Sequence, residues 1–230
     1  AMIPFKDNVP TRRPAVVTIL LIAVNGLVFI YQQTLPHQTQ VDLVYHYGTI
    51  PARIADLRSW LFPGVQNPAV SLVSSMFMHG GWLHLGGNML YLWIFGNNVE
   101  DSMGRVRFLV FYLICGLTAA AAQVASAPDS TVPMVGASGA VSGVLGAYLI
   151  LHPFARVLTL VFIIFFIRVI ELPAIFVLGF WFMLQVLSSL AAPAGEGGVA
   201  WFAHMGGFFA GLVLIRFFQN RRLQRRYSWR

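Results

Sequence analysis

Residues 136–148 read GASGAVSGVLGAY, with a small residue at nearly every third or fourth position. Small residues at this spacing allow two helices in a membrane to approach closely. The stretch AHMGGFFAG, residues 203–211, carries a matching pair, Gly207 and Gly211, on the same helix face as His204. We therefore expect the two stretches to pack face to face, which would bring Ser138 beside His204.

The composition indicates that these helices lie in a membrane. Hydrophobic residues make up 57% of the 230 residues and charged residues 10%, whereas a soluble domain carries about 25% charged residues. Disorder, collagen and a disulfide scaffold are excluded by the same composition, and Cys115 is the only cysteine in the sequence. The net charge of +7 comes from cations between long apolar runs, so no nucleic-acid partner is expected. The predicted fold class is all-α, a polytopic membrane protein.

Stretches without Lys, Arg, Asp or Glu predict six transmembrane helices, since each needs about 20 apolar residues. The first covers roughly residues 15–35, and the others lie within residues 80–99, 108–128, 130–155 (starting near Ser138), 172–195 and 197–215. We therefore expect residues 1–14 to be a cytoplasmic N-terminal segment, residues 15–218 the six-helix membrane domain, and residues 219–230 a basic cytoplasmic tail.

The distribution of cations predicts the orientation. With the N-terminus in the cytoplasm, only Arg53 and Arg58 lie outside, and 13 of the 15 Lys and Arg residues lie inside. The inner cations are Lys6, Arg12, Arg13, Arg105, Arg107, Arg156, Arg168, Arg216, Arg221, Arg222, Arg225, Arg226 and Arg230. This bias favours cytoplasmic termini. The lack of an Arg- and Ser-rich leader favours a bacterial plasma membrane over an organelle membrane.

Two connections are unusually apolar. Residues 36–79 are expected to lie in the membrane interface with their apolar side towards lipid. Their large apolar residues include Trp60, Leu61, Phe62, Phe77 and Met78. Residues 157–170, VLTLVFIIFFIRVI, have the apolar character of a seventh span, but Arg168 interrupts them and Glu171 follows them. A seventh span would also place the Arg-rich C-terminus outside, so we predict that this segment does not cross the membrane.

Three groups of polar residues lie at membrane depth, where polar side chains are costly and usually functional. The stretch HGGWLHLGGN, residues 79–88, holds His79 together with His84 and Asn88, which share one helix face. Ser138 and His204 each begin a predicted helix. Each group alone is also compatible with helix packing, and GASG by itself does not separate a nucleophile from a packing surface.

The combination of a serine with a histidine is more informative than either residue. A serine needs a base to become a nucleophile, and a neutral histidine can take its proton and later deliver it to a leaving amine. Asp129 and Glu196 lie in predicted loops, so we expect a Ser–His dyad without an acidic third member. The helix start at Ser138 offers backbone N–H groups to an oxyanion, and the second helix can add side-chain donors.

Four motifs carry a resemblance to a known family: HLGGN (residues 84–88), Val99–Glu100, GASG (residues 136–139) and AHMGG (residues 203–207). The order and separation of these motifs are those of the rhomboid intramembrane serine proteases of bacterial type, which have a six-helix core, and the chain resembles that family. The resemblance implies that Ser138 is the nucleophile and His204 the general base, and that His84 and Asn88 line the oxyanion hole. The helix start at Ser138 adds its backbone N–H to the same oxyanion hole. The resemblance further implies cleavage of single-pass transmembrane proteins within or near their membrane segment, without metal or cofactor.

The resemblance also implies partners and a gate. Transmembrane protein substrates and membrane lipids are the expected partners, and the sequence leaves the oligomeric state open. In the family the fifth helix and fifth loop control substrate access, which here implies Phe176, Phe180 and Trp181 at the gate and residues 191–200 as a mobile cap.

Two positions depart from the family pattern. Ser142 stands where many members have an aromatic residue that stacks on the histidine, so His204 must be oriented by another group, such as the Ser142 hydroxyl or a water molecule. Val70–Ser71 stands where many members have Trp-Arg, which leaves open how the first loop is fixed.

Other functions fit less well. A zinc protease needs HExxH, which the sequence lacks, and an aspartyl protease needs two intramembrane aspartates, whereas all five Asp residues fall at helix ends or in loops. A metal transporter would use His79, His84 and His204 as ligands but leaves GASG as packing alone. A catalytically inactive rhomboid-like protein that binds membrane clients is the stronger alternative, although such proteins usually lack the serine or the histidine.

Overall fold

The computed structural model describes residues 2–62, 67–163, 166–191 and 200–220, and within these ranges each of the six expected spans contains a helix. The elements in chain order are β1 (Met2–Asp7), α1 (Val16–Thr34), α2 (His37–Tyr47), α3 (Pro51–Ala55), α4 (Leu57–Leu61), α5 (Pro68–Ser74), a 3₁₀ turn (Ser75–Phe77), α6 (Trp82–Met103), α7 (Arg105–Ser126), α8 (Ser138–Leu151), β2 (Arg156–Ile163), β3 (Phe166–Pro173), α9 (Ala174–Ala191) and α10 (Trp201–Phe218).

The helices confirm a mostly helical membrane protein. Among the described residues, four helices are long and apolar enough to cross a membrane, namely α1, α7, α9 and α10. Helix α6 has 22 residues but carries several polar side chains, and α8 has only 14 residues. At 1.5 Å per residue α8 is about 21 Å long, shorter than a hydrocarbon core of about 30 Å. If one end of α8 lies at a membrane surface, its other end therefore lies inside the membrane.

Helix α8 forms the centre of the bundle, and every residue from Gly139 to Tyr148 is buried. Its closest partner is α10, because a Cβ atom added to Gly207 would overlap the carbonyl of Gly139 and one added to Gly211 the carbonyl of Gly143. This confirms the predicted packing of the two small-residue faces. Helices α6 and α7 cover other sides of α8 with large buried residues, among them Leu92, Phe95, Phe108, Phe111 and Tyr112.

The described residues of the segment 157–170 form strands, which the sequence analysis did not predict; it predicted that the segment does not cross the membrane. In the described part of the chain β1, β2 and β3 make an antiparallel sheet in that order. Residues 157–163, VLTLVFI, are rich in β-branched and large apolar residues, which favour extended structure over helix. Because β2 follows the C-terminal end of α8, the sheet lies at the opposite end of that helix from Ser138.

The N-terminal strand is joined to the helices at this end of the bundle. The Tyr148 hydroxyl donates to Asp7 Oδ2 at 2.5 Å, and Asn98 Nδ2 donates to the same oxygen at 2.6 Å.

Glu100 accepts hydrogen bonds from Val17 N at 3.1 Å and from Thr18 N at 2.8 Å, which caps the start of α1. The acidic residue of the Val99–Glu100 motif thus fixes α1 against α6.

The described part of the connection, residues 36–62 and 67–79, consists of short helices and turns. Leu61 and Phe62 are 64% and 80% exposed, whereas Met78 is buried in the bundle. Only part of the expected apolar surface therefore faces outwards. The connection is fixed by Thr49, whose backbone pairs with Met134 and whose hydroxyl donates to the Ser71 carbonyl at 3.0 Å. These bonds hold the segment that carries Val70–Ser71.

Candidate active site

Ser138 and His204 lie side by side at the same end of the bundle. The distance from Ser138 Oγ to His204 Nε2 is 2.8 Å, which is a hydrogen bond. Ser138 is the first residue of α8, and the first hydrogen bond of that helix runs from Val141 N to Ala137 O. The N–H groups of residues 138–140 therefore precede the repeating bonds of the helix, where the positive end of its dipole favours a negative charge.

His204 is held by residues that the sequence analysis did not identify for this purpose. Its Nδ1 atom lies 2.7 Å from Gln185 Oε1, and its ring is 6.1 Å, centroid to centroid, from the rings of Trp181 and Trp201. The Ser142 hydroxyl does not bond to His204 but donates to the carbonyl of Ser138 at 2.6 Å. The suggestion that Ser142 orients the histidine is therefore wrong. The sequence signal that could have identified Gln185 is its side-chain amide, which lies within the apolar helix AIFVLGFWFMLQVLSSLA.

His84 and Asn88 reach the same place from α6. Asn88 is 8% exposed, and its Nδ2 atom has no hydrogen-bond partner among the described residues. His84 Nδ1 accepts a bond from Gly80 N at 3.4 Å, which leaves Nε2 as the protonated nitrogen of the neutral ring. That edge of the ring packs against Gly136, two residues before Ser138. Both side chains thus offer N–H donors near the start of α8.

A cavity of about 1030 Å³ joins these groups. Its lining includes His84 and Asn88 of α6, Ser138 of α8, Gln185 of α9 and His204 of α10. Residues of the connection before α8 complete the wall, among them Ser130, Pro133 and Met134. The cavity is large enough to hold water together with a short extended segment of peptide, and its polar groups converge at Ser138 and His204.

His79 lies behind this cavity. Its ring is 2% exposed and sits 5.1 Å from the ring of His84 and 6.5 Å from that of Phe29. Its backbone is bonded to the side-chain amide of Gln32. His79 therefore does not line the cavity, although it belongs to the same polar stretch as His84 and Asn88. Across the described residues no group of three or more His, Cys, Asp or Glu side chains is arranged to hold a metal ion.

The three aromatic residues of α9 that were expected at the gate differ in their surroundings. Phe176 is 65% exposed on the outside of the bundle, Phe180 is half-buried, and Trp181 borders the cavity beside His204. Of the expected cap, residues 192–199 lie outside the described residues.

The fold and this site define a polytopic membrane protein with a serine–histidine pair in a cavity at the start of two packed helices. A family model for the rhomboid domain matches residues 66–221. The rhomboid protease GluP of Bacillus subtilis is 31% identical over 214 residues, which is 91% of this chain and 36% of that protein. Rhomboid protein 1, mitochondrial, of Saccharomyces cerevisiae is 31% identical over 176 residues, 70% of this chain and 47% of that protein.

The chain belongs to the rhomboid family. It spans less than half the length of these two relatives.

Proposed function

We propose that the protein is an intramembrane serine endopeptidase that cuts single-pass transmembrane proteins within or near their membrane segment. The observation that carries the proposal is the 2.8 Å hydrogen bond between Ser138 Oγ and His204 Nε2 inside a cavity. Membership of a family that includes named proteases supports it. Two separate helices bring a nucleophile and a base into contact, which packing alone does not require.

In the proposed reaction Ser138 Oγ attacks the carbonyl carbon of the scissile peptide bond while its proton passes to His204 Nε2. The tetrahedral intermediate collapses as the C–N bond breaks, and His204 returns that proton to the leaving amine. Water then attacks the acyl-enzyme, giving its proton to His204, and the departing Ser138 oxygen takes it back. The products are two peptides, and the dyad is restored.

The negative charge of the tetrahedral oxygen needs fixed donors. The N–H of Ser138, the Nδ2 group of Asn88 and the Nε2–H group of His84 are available at the start of α8. A buried donor without a partner loses nothing when it binds the oxyanion, so its full hydrogen bond stabilises the transition state. This is why the unpartnered Nδ2 of Asn88 supports the oxyanion assignment.

The proposed orientation has both termini in the cytoplasm and residues 15–218 as the membrane domain, in a bacterial plasma membrane. The sheet of β1, β2 and β3 then lies at the cytoplasmic end of α8. Since α8 is about 21 Å long, Ser138 would lie about 9 Å inside the opposite surface. Water would reach the cavity from the outer side, and residues 191–200 with the aromatic residues of α9 would control access of the substrate helix.

The test uses purified wild type, Ser138→Ala and His204→Ala in liposomes with a panel of single-pass membrane proteins, and products are mapped by mass spectrometry. We expect cleavage near the outer end of a substrate helix by the wild type and its loss in both variants. His152→Ala and Ser102→Ala, at the other end of the bundle, serve as matched controls and should retain activity.

Persistent cleavage by Ser138→Ala would overturn the proposal. If the wild type cuts nothing, a fluorophosphonate probe decides between two explanations. Labelling of Ser138 would indicate that the panel lacked a substrate, and no labelling would favour the inactive client-binding alternative.

A further inference from the structure

Gln185 connects α9 to the proposed dyad. It is 7% exposed, and its Oε1 atom lies 2.7 Å from Nδ1 of His204. In the described part of the chain the hydrogen-bond partners of the His204 ring are Gln185 and Ser138. We infer that Gln185 is a positioning residue that fixes the tautomer and orientation of His204, an inference that rests on the proposed function and adds a third member to its machinery.

The orientation of the amide follows from its other bond. Gln185 Nε2 donates to the backbone carbonyl of Trp181 at 3.2 Å. A carbonyl oxygen only accepts, so the amide nitrogen must face Trp181 and the amide oxygen must face His204. That oxygen also only accepts, so Nδ1 of the neutral histidine carries the proton. The lone pair of the ring is therefore on Nε2, where the Ser138 hydroxyl donates to it.

The same contact opposes rotation of the ring. The ring centroids of Trp181 and Trp201 each lie 6.1 Å from that of His204, and these two rings limit the space in which the imidazole can turn. An imidazole without a fixed partner on Nδ1 can carry its proton on either nitrogen, and only one of these forms accepts from Ser138. Gln185 thus does what an acidic residue does in a triad as far as the tautomer is concerned, but without supplying a negative charge.

The contact also makes the dyad depend on α9. Ser138 and His204 lie on the tightly packed pair α8 and α10, whereas the buried residues of α9 are Ala174, Val177, Leu178 and Gln185. Gln185 is therefore the buried residue of α9 furthest towards the site end. A displacement of this part of α9 would remove the acceptor from His204 while leaving Ser138 and His204 in place.

The test compares Gln185→Met, which has a side chain of similar length without the amide groups, with Gln185→Glu, which keeps an oxygen acceptor. Leu184→Met, the neighbouring exposed position of α9, is the matched control. The readouts are kcat and KM for a transmembrane substrate, the melting temperature, and the ¹⁵N spectrum of the His204 ring in histidine-labelled protein.

We expect Gln185→Met to lower kcat by about 10- to 100-fold, the range for loss of a hydrogen bond to a group that becomes charged in the reaction. KM and the melting temperature should match those of Leu184→Met. The ¹⁵N spectrum should change from a single Nδ1–H tautomer to a mixture. Gln185→Glu should restore the Nδ1–H signal and a kcat within about tenfold of the wild type, because the acceptor is retained.

Wild-type kcat with an unchanged ¹⁵N spectrum in Gln185→Met would overturn the inference. So would a fall in kcat that follows a fall in melting temperature and is not reversed in Gln185→Glu. The ¹⁵N spectrum can be recorded without a substrate, so it tests the role of Gln185 separately from the proposed function. If the wild type neither cleaves nor labels at Ser138, the proposed function fails, while the tautomer still shows whether Gln185 fixes the ring.

Discussion

Gly211 packs so closely against the carbonyl of Gly143 that no side chain fits between them. Gly207 has the same relationship with Gly139, one turn nearer the site. Helices α8 and α10 therefore meet backbone to backbone, and this separation places Ser138 Oγ within 2.8 Å of His204 Nε2. The proposed dyad has this geometry because these glycines have no side chain.

Substituting either glycine should damage both stability and activity. Gly207→Ala and Gly211→Ala each force the helices apart, and we expect destabilisation of about 1–3 kcal/mol or more, as for overpacked cores. The Ser–His distance should lengthen, so kcat should fall. Thermal unfolding and cleavage assays check this prediction.

Gly179→Ala on α9 is the matched control, because a Cβ there meets no atom within 4 Å. It should be neutral or slightly stabilising, since alanine is favoured over glycine in a helix by about 1 kcal/mol. Equal effects at positions 179 and 211 would contradict the role of close approach.

Asn88 should matter for catalysis and not for stability. Asn88→Leu removes the unpartnered Nδ2 donor, and loss of one oxyanion donor typically costs about 10²- to 10³-fold in kcat. The melting temperature should stay the same or rise, because a buried donor without a partner is itself destabilising. Asn25→Leu, a buried amide on α1 away from the cavity, should leave kcat unchanged. A normal kcat in Asn88→Leu would remove Asn88 from the oxyanion hole.

Gly136 should not tolerate a side chain. Its φ of 128° is one that residues with a Cβ rarely adopt, and an added Cβ would lie 2.7 Å from Cε1 and Nε2 of His84. We expect Gly136→Ala to cost about 1–3 kcal/mol in backbone strain alone and to lower kcat by displacing His84. Gly86→Ala on α6, where a Cβ meets open space, is the control and should be benign. Unchanged kcat and melting temperature in Gly136→Ala would show that the turn before α8 adjusts freely.

The carboxyl of Asp7, which lies at the other end of the bundle, should make the stability of the fold depend on pH. Burial raises the pKa of Asp7, although the hydrogen bond from Tyr148 opposes this shift. A carboxyl whose pKa is higher in the folded state stabilises the fold at low pH, and this contribution is lost as the pH rises through the folded pKa. The melting temperature of the wild type should therefore fall relative to that of Asp7→Asn as the pH rises above about 4, the ordinary pKa of an aspartate.

A variant at an exposed acidic position, Asp42→Asn, is the control for Asp7→Asn. A constant difference between the wild type and Asp7→Asn as the pH rises would mean that folding does not raise the pKa of Asp7.

Several features could be predicted from particular residues. The spacing of Gly207 and Gly211 against the small residues of 136–148 was sufficient to pair α8 with α10 and to bring His204 to Ser138. Other features could not be predicted. The apolar run 157–170 has no period that separates a strand from a buried helix, and the pairing of β1 with β2 joins segments about 150 residues apart.

The sequence by itself determined the membrane environment, the helical spans and the choice of Ser138 and His204 as the proposed reactive pair, because apolar length and small-residue spacing act locally along a helix. Only the tertiary structure decided which groups surround that pair. Gln185 reaches His204 from α9 and His79 is buried behind His84, since the direction of a side chain on a membrane helix depends on which neighbour packs against it. No pattern within a single helix specifies that neighbour.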